Sequence, residues 1–277
     1  MKRMPVVSRE YKVMLLPAKF RGHEPALLEA AAQFWQDFSR TIAETALDAT
    51  GALDRIKKRR LIQFFDTDGG ELNEAGYIFR VRRDVNGGRA EATLKFRHED
   101  RYVSESRRVK TRQTGAEVKF EEDIKAPFVS LYSCSASIAL GTSETPADRD
   151  GLVKIFPGLN RRLTEEHGLQ TLSPVGHFTA RELVITGAQF RIGRNTGVEA
   201  ECALIVWYDE MGKNDQPVAA EFSFRYGDEA EGYGGGAARR AFASFHALQA
   251  MEEWIDTDPR TKTRFVMEKA LTPVAAL

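Results

Sequence analysis

Across much of this 277-residue chain, charged and apolar residues alternate at a spacing of two. Successive side chains of a β-strand point to opposite faces, so each such segment divides into two lists. Over 77–82, Arg80 and Arg82 share one face, and Tyr77, Phe79 and Val81 share the other. Over 91–97, Thr93, Lys95 and Arg97 oppose Ala92, Leu94 and Phe96. Over 118–124, Lys119, Glu121 and Asp123 oppose Val118, Phe120 and Ile124, with Glu122 as the exception. Over 199–206, Glu199 and Glu201 oppose Ala200, Cys202, Leu204 and Val206, and over 220–226, Glu221, Ser223 and Arg225 oppose Ala220, Phe222, Phe224 and Tyr226. The first strand, within 7–16, sets Ser8, Glu10 and Lys12 against Tyr11 and Val13.

Antiparallel sheets commonly have one wet face and one core face, so solvated surface is the simplest reading of these charges. Two features speak against it. Arg80/Arg82 and Lys95/Arg97 place like charges on one face, where they repel unless an anion lies between them. The stretch 77–112 holds 11 Lys/Arg against 5 Asp/Glu, while acids gather near 121, 200 and 221. A sheet closed with its charged faces inward brings both signs into one lumen and turns its apolar faces outward, under amphipathic helices.

The remaining pattern supplies those helices. Pro25 opens a helix with Leu27, Leu28, Ala31, Phe34, Trp35, Phe38 and Ile42 on one face. Further strands are expected at 60–66, 102–109, 178–185 and 189–194, and Asn86-Gly87-Gly88 marks a hairpin. The stretch 125–175 reads as helices and irregular connections. A Gly-rich loop at 232–236 precedes a last helix bearing Phe242, Phe245, Leu248, Met251 and Ile255. The expected fold class is α+β: an antiparallel closed β-barrel with a charged lumen and flanking helices. It is read as one domain over 1–277, with a helical insertion at about 23–58 and an irregular or helical one at about 125–175.

The chain carries 40 Lys+Arg and 40 Asp+Glu, which removes the global electrostatic case for nucleic acid or anionic membrane as partner. Its longest early apolar run, Val13 to Leu16, is too short for a signal peptide, and no stretch approaches the roughly 20 apolar residues of a membrane span. Cys134 and Cys202 form neither a disulfide framework nor a metal knuckle. The expected compartment is cytoplasmic. The ligand that needs both signs at once is a polyphosphate with a divalent metal. Arg and Lys meet its oxygens, and carboxylates hold Mg²⁺ or Mn²⁺.

Three other motifs have plainer readings. Asp66-Thr67-Asp68-Gly69 is similar to the nucleophile motif of haloacid-dehalogenase-type phosphatases but lacks the parallel α/β setting. Gly232-x-Gly234-x-x-Ala237 fits the dinucleotide fingerprint formally, too near the C-terminus for a βαβ unit. The basic run Arg55–Arg60 reads as a solvated helix end or as the entrance to the lumen.

The segment LIQFFDTDGGELNEAGYIFRVRRD (61–84), followed by EATLKFR (91–97), resembles the CYTH superfamily, the triphosphate tunnel metalloenzymes. VKFEEDI (118–124) and VAAEFSFRY (218–226) are similar to later strands of that family. The family's N-terminal Glu-x-Glu-x-Lys corresponds here to Ser8, Glu10 and Lys12, and Ser223 and Arg225 stand where further Glu is usual. The resemblance implies that Lys12, Arg80, Arg82, Lys95, Arg97 and Lys119 bind phosphate oxygens. It implies Glu10, Glu121, Asp123, Glu201 and Glu221 as candidates to hold Mg²⁺ or Mn²⁺. The activity it implies is metal-dependent hydrolysis of a small-molecule triphosphate. The missing acids keep a catalytically weakened binding module open as an alternative, and a class IV adenylyl cyclase is a third reading. No residue is assigned to activate the attacking water.

Overall fold

The alternating segments form strands, and the strands form a ring. The computed structural model describes residues 3–141, 145–161, 163, 170–194, 197–212, 215–227, 234–258 and 261–271. Its strands are β1 (Ser8–Leu15), β2 (Asp48–Thr67), β3 (Tyr77–Asp84), β4 (Ala90–His98), β5 (Glu117–Lys125), β6 (Val129–Leu140), β7 (Leu172–Pro174), β8 (Ala180–Arg191), β9 (Glu199–Asp209) and β10 (Pro217–Tyr226). Its helices are α1 (Glu24–Thr41), α2 (Glu71–Glu74), α3 (Arg101–Ser106), α4 (Arg149–Ile155), α5 (Gly235–Gln249) and α6 (Lys262–Leu271).

The sheet runs β3-β4-β6-β5-β1-β10-β9-β8-β2, and β2 pairs again with β3, so nine strands return on themselves. The closing seam joins Arg60–Phe65 to Phe79–Asp84. All pairings in the ring are antiparallel except β1 with β5, which run parallel through Ser8↔Glu121 and Glu10↔Asp123. The short β7 hangs on the end of β2.

Closure sends the apolar faces outward, where helices cover them. Phe34 and Phe38 of α1 meet Phe222 of β10, with ring centroids 4.8 and 5.1 Å apart. Phe245 of α5 lies 5.2 Å from Tyr11 of β1. A second cluster backs the other side of the ring, where Phe79, Leu94, Phe120 and Cys134 pack with Leu152, Phe156 and Leu159. Each fully buried aromatic or aliphatic side chain contributes roughly 1.5–3 kcal/mol by leaving water.

Three expectations are corrected. The helical insertion at 23–58 holds only α1: the chain enters β2 at Asp48, so the basic run 55–60 is strand, not a helix end. The pairing of this arm with β8 overrides its local preference. The stretch 125–175 contains β6, whose alternation is hidden in small residues, Ser133, Ser135 and Ser137 against Cys134, Ala136 and Ile138. The expected strand at 102–109 is instead α3, because Asp100 caps it by accepting hydrogen bonds from the backbone N–H of Tyr102 and Val103. Gly232 and Tyr233 of the glycine-rich loop lie outside the described residues, while Gly234 precedes α5 and Gly235 and Gly236 begin it. No helix among the described residues is long and apolar enough to cross a membrane.

Candidate functional site in the strand ring

The ring encloses a cavity of about 540 Å³. Strand alternation points Glu10 and Lys12 of β1, Arg80 and Arg82 of β3, Lys95 and Arg97 of β4, Asp123 of β5 and Glu221 of β10 into it. Opposite the long cations, β6 presents Ser133, Ser135 and Ser137, partners in register of Arg97, Lys95 and Thr93.

Asp123 is the hub of the charged wall. One carboxylate oxygen lies 3.0 Å from Lys12 Nζ, and the other accepts from Lys95 Nζ at 3.1 Å and Arg97 Nη2 at 3.0 Å. Burial opposes its charge, yet Lys12, Lys95 and Arg97 hold its carboxyl well below the usual range. Lys12 also reaches Glu10 Oε2 at 2.8 Å. Burial works against the Lys12 ammonium too, but Asp123, Glu10 and Glu221 raise its pKa. Lys95 shifts the other way: burial and its cationic neighbours Arg97 and Lys12 outweigh Asp123 and lower its pKa.

The β3 arginines are less well served. Arg82 pairs with Glu91 at 3.1 Å. Arg80 has no hydrogen bond or ion pair among the described residues, and the Nε atoms of Arg80, Arg82 and Arg97 are buried without an acceptor. Burial, then the charge of Arg82, pushes the Arg80 pKa well down. A half-buried guanidinium whose Nε lacks an acceptor is costly, and an anion in the lumen relieves it.

Several lumen residues were not singled out from the sequence. Glu182 of β8 is buried. Its Oε1 accepts from Arg60 Nε at 2.9 Å, and its Oε2 accepts from Trp207 Nε1 at 2.9 Å. Burial opposes its ionisation, but Lys262, Arg60 and Arg82 bring its pKa down to about 2. Lys262, at the start of α6, lies 3.1 Å from Glu221 Oε1 and 5.3 Å from the Trp207 ring centre. The segment after α5 reaches this end of the tunnel because Leu15 bridges Ile255 and Asp256 N–H donates to the Met14 carbonyl at 3.0 Å. Glu182 and Trp207 carried no charge pattern of their own, and Arg60 was read only as part of the basic run 55–60. Lys262 carried no signal, since its place depends on the path of the chain after α5.

Three of the named residues stand apart. Lys119 pairs with Glu117 at 2.8 Å, and Glu201 with Arg225 at 2.9 Å, both with substantial exposure outside the cavity lining. Glu121 is half-buried on β5 and also outside the lining. The five acids named for a metal therefore do not converge. Among the described residues, no group of three or more His, Cys, Asp or Glu is placed to hold a metal ion. Glu10 and Asp123 are neighbours in register, with Lys12 between them. Ser223, in the place of an expected acid, is buried and hydrogen-bonds to Glu10 instead. As these side chains stand, they do not fit a two-metal site.

The tunnel expected from the sequence is present. Solved structures similar to the chain include a candidate adenylyl cyclase from Hippeastrum described as having a dominant triphosphatase activity. It has 12% identity and a TM-score of 0.46, over 97% of this chain and 98% of that one. Candidate adenylate cyclases from Vibrio parahaemolyticus and Bacillus halodurans each match at 11% identity and a TM-score of 0.35, over 96% of this chain and 99% of theirs. No family model matches the chain, and no curated protein does. At these scores the matches are likenesses only; the strand pairings and the lumen charges carry the case for the tunnel.

Proposed function

We propose that this protein binds a small molecule carrying a triphosphate chain inside the strand ring and hydrolyses its phosphoanhydride. The observation that supports this most is Arg80, half-buried in the lumen beside Arg82, with no hydrogen bond or ion pair among the described residues and only the more distant charges of Glu182 and Glu91 to offset it. Two guanidinium forks two residues apart on one strand match successive phosphate groups, each able to take two oxygens. Lys12, Lys95 and Arg97 are held in place by Asp123, and each has further N–H donors for a ligand. Cations fixed in a desolvated site stabilise the charge that develops on a transferring phosphoryl group. A second reading, binding without turnover, is favoured by the lumen acids: Glu10 and Asp123 share Lys12, and Glu221 is taken by Lys262.

The test offers tripolyphosphate, thiamine triphosphate and ATP to the purified protein, with Mg²⁺, with Mn²⁺ and with a chelator. Released phosphate, pyrophosphate and cyclic nucleotide are followed alongside the melting temperature. Phosphate release supports hydrolysis, cyclic nucleotide points to a cyclase, and stabilisation without product supports the binding module. Neither stabilisation nor turnover sinks the reading. Arg80→Ala should weaken binding by roughly 10- to 100-fold, the value of a hydrogen-bonded charged contact. Unchanged binding would show that phosphate does not lie on β3.

A further inference from the structure

Of the acids expected to hold a metal, Glu10, Asp123 and Glu221 line the cavity, and each is held by a cation of the chain itself. Glu10 Oε2 lies 2.8 Å from Lys12 Nζ, and Ser223 hydrogen-bonds to the same carboxylate. Asp123 has Lys12 at one oxygen and Lys95 with Arg97 at the other, so both oxygens face cations. Glu221 Oε1 is 3.1 Å from Lys262 Nζ, and both residues are buried.

Lys12 shares its strand with Glu10, whereas Lys262 comes from the far end of the chain and is delivered by packing. Asp256 N–H donates to the Met14 carbonyl at 3.0 Å and ties the segment before α6 to β1. Within α6, Phe265 meets Phe178 edge-on with ring centroids 5.7 Å apart. Val266 is buried in the cluster that holds Phe64 and Trp207. These contacts leave the Lys262 ammonium 5.3 Å from the Trp207 ring centre and paired with Glu221. Its charge also helps to keep Glu182 ionised.

An ammonium is a compact point charge with three donors, so at one place it offers part of what a divalent ion offers. Mg²⁺ or Mn²⁺ needs carboxylate and water oxygens, and here it would have to displace a cation to reach them. At Glu221 it would meet Lys262, and at Asp123 it would meet Lys12, Lys95 and Arg97. Like charges that close repel strongly in a desolvated site.

We propose that Lys262 stands in for the divalent ion, so that the lumen binds a triphosphate chain without metal. This rests on the triphosphate reading above and puts a side chain of α6 in the place of the expected Mg²⁺ or Mn²⁺. Calorimetry on the full chain measures tripolyphosphate binding with a chelator, then with Mg²⁺ or Mn²⁺, at matched ionic strength. After correction for metal taken up by free tripolyphosphate, the wild-type affinities should agree within about threefold. Lys262→Gln leaves Glu221 uncompensated and should weaken binding in chelator by about tenfold, the value of one charged contact. Metal should restore part of that loss, and Lys262→Arg, which keeps the charge, should bind without metal.

Wild-type binding that needs metal, or that tightens about tenfold with it, overturns this inference and leaves the triphosphate reading intact. Failure of tripolyphosphate to bind under every condition overturns both. Lys262→Gln binding as tightly as wild type in chelator overturns the assignment to Lys262. Should that variant misfold, the wild-type comparison with and without metal decides by itself.

Discussion

Asp123 and Glu182 show how single carboxylates hold the cationic lumen together. Each is buried, and each is ionised because cations surround it. A group whose pKa is depressed in the folded state contributes stability above its unfolded pKa and loses it as pH falls through the folded value. For Glu182 that window runs from the ordinary 4.5 down to about 2. Its contribution at neutral pH is on the order of 3 kcal/mol. Glu182→Gln should therefore lower stability at pH 7 and flatten the loss between about pH 4.5 and 2, read by denaturant unfolding at each pH. A variant as acid-sensitive as wild type would show that Glu182 is not the group that titrates. Asp123→Asn removes the counter-ion of Lys12, Lys95 and Arg97 at once. Breaking such a buried network by one partner costs roughly 3–5 kcal/mol, so the melting temperature without ligand should fall. Tripolyphosphate then supplies the missing negative charge, and the shift it produces should exceed that of wild type. An equal or smaller shift would mean that the three cations do not meet the ligand.

At the scale of elements, Asp66 is a structural residue. Its Oδ1 accepts from the backbone N–H of Thr67 and Leu72 at 2.8 and 2.9 Å, and its Oδ2 accepts from that of Asn73 at 3.0 Å. It ties the end of β2 to α2 and so sets the turn into β3, which carries Arg80 and Arg82. Burial raises its pKa in spite of those three donors. Asp66→Ala leaves two buried donors and one part-buried donor unpaired and should cost on the order of 3 kcal/mol, measured by chemical denaturation; a loss of a few tenths would return the residue to the list of functional candidates. The same element shows what the sequence could reveal. Strands whose charges alternate with large apolar residues, such as β3, β4 and β10, were readable because that contrast is the strand period itself. β6 was not, since Ser, Ala and Cys differ too little in size and polarity to mark two faces. The arm of β2 was not readable either. It bends where Gly51 and Gly187 cross, both at positive φ, with the Gly187 carbonyl oxygen 2.0 Å from where a Gly51 side chain would begin. Beyond that crossing the basic, exposed segment pairs with β8 from Arg55 onward. Glu201 and Lys119 had the right parity for the lumen but lie too far along their strands. Alternation assigns a face and leaves the depth along the tunnel open.

For the whole molecule, the balance of 40 cations against 40 acids is a sum over separated parts. Lys95 and Arg97 of β4 pair with Asp123, while Asp256 and Asp258 line the cavity beside the Glu221–Lys262 pair, where the segment after α5 reaches it. An anion that settles between these walls touches strands from both sides of the ring. Those strands come together only in the folded state, since the ring closes through β2 with β3 and through the parallel pair β1 with β5. Tripolyphosphate should therefore stabilise the native protein by mass action, by about 2.7 kcal/mol at a hundred times its Kd. At roughly 2–4 °C per kcal/mol for a chain of this size, the melting temperature should rise by about 5–10 °C. Added salt should reduce the gain only in part, because the lumen cations are largely buried and surface screening reaches them weakly. Sodium chloride at matched ionic strength is the control. A rise equal to that from tripolyphosphate would assign the effect to general screening and remove the lumen from the explanation.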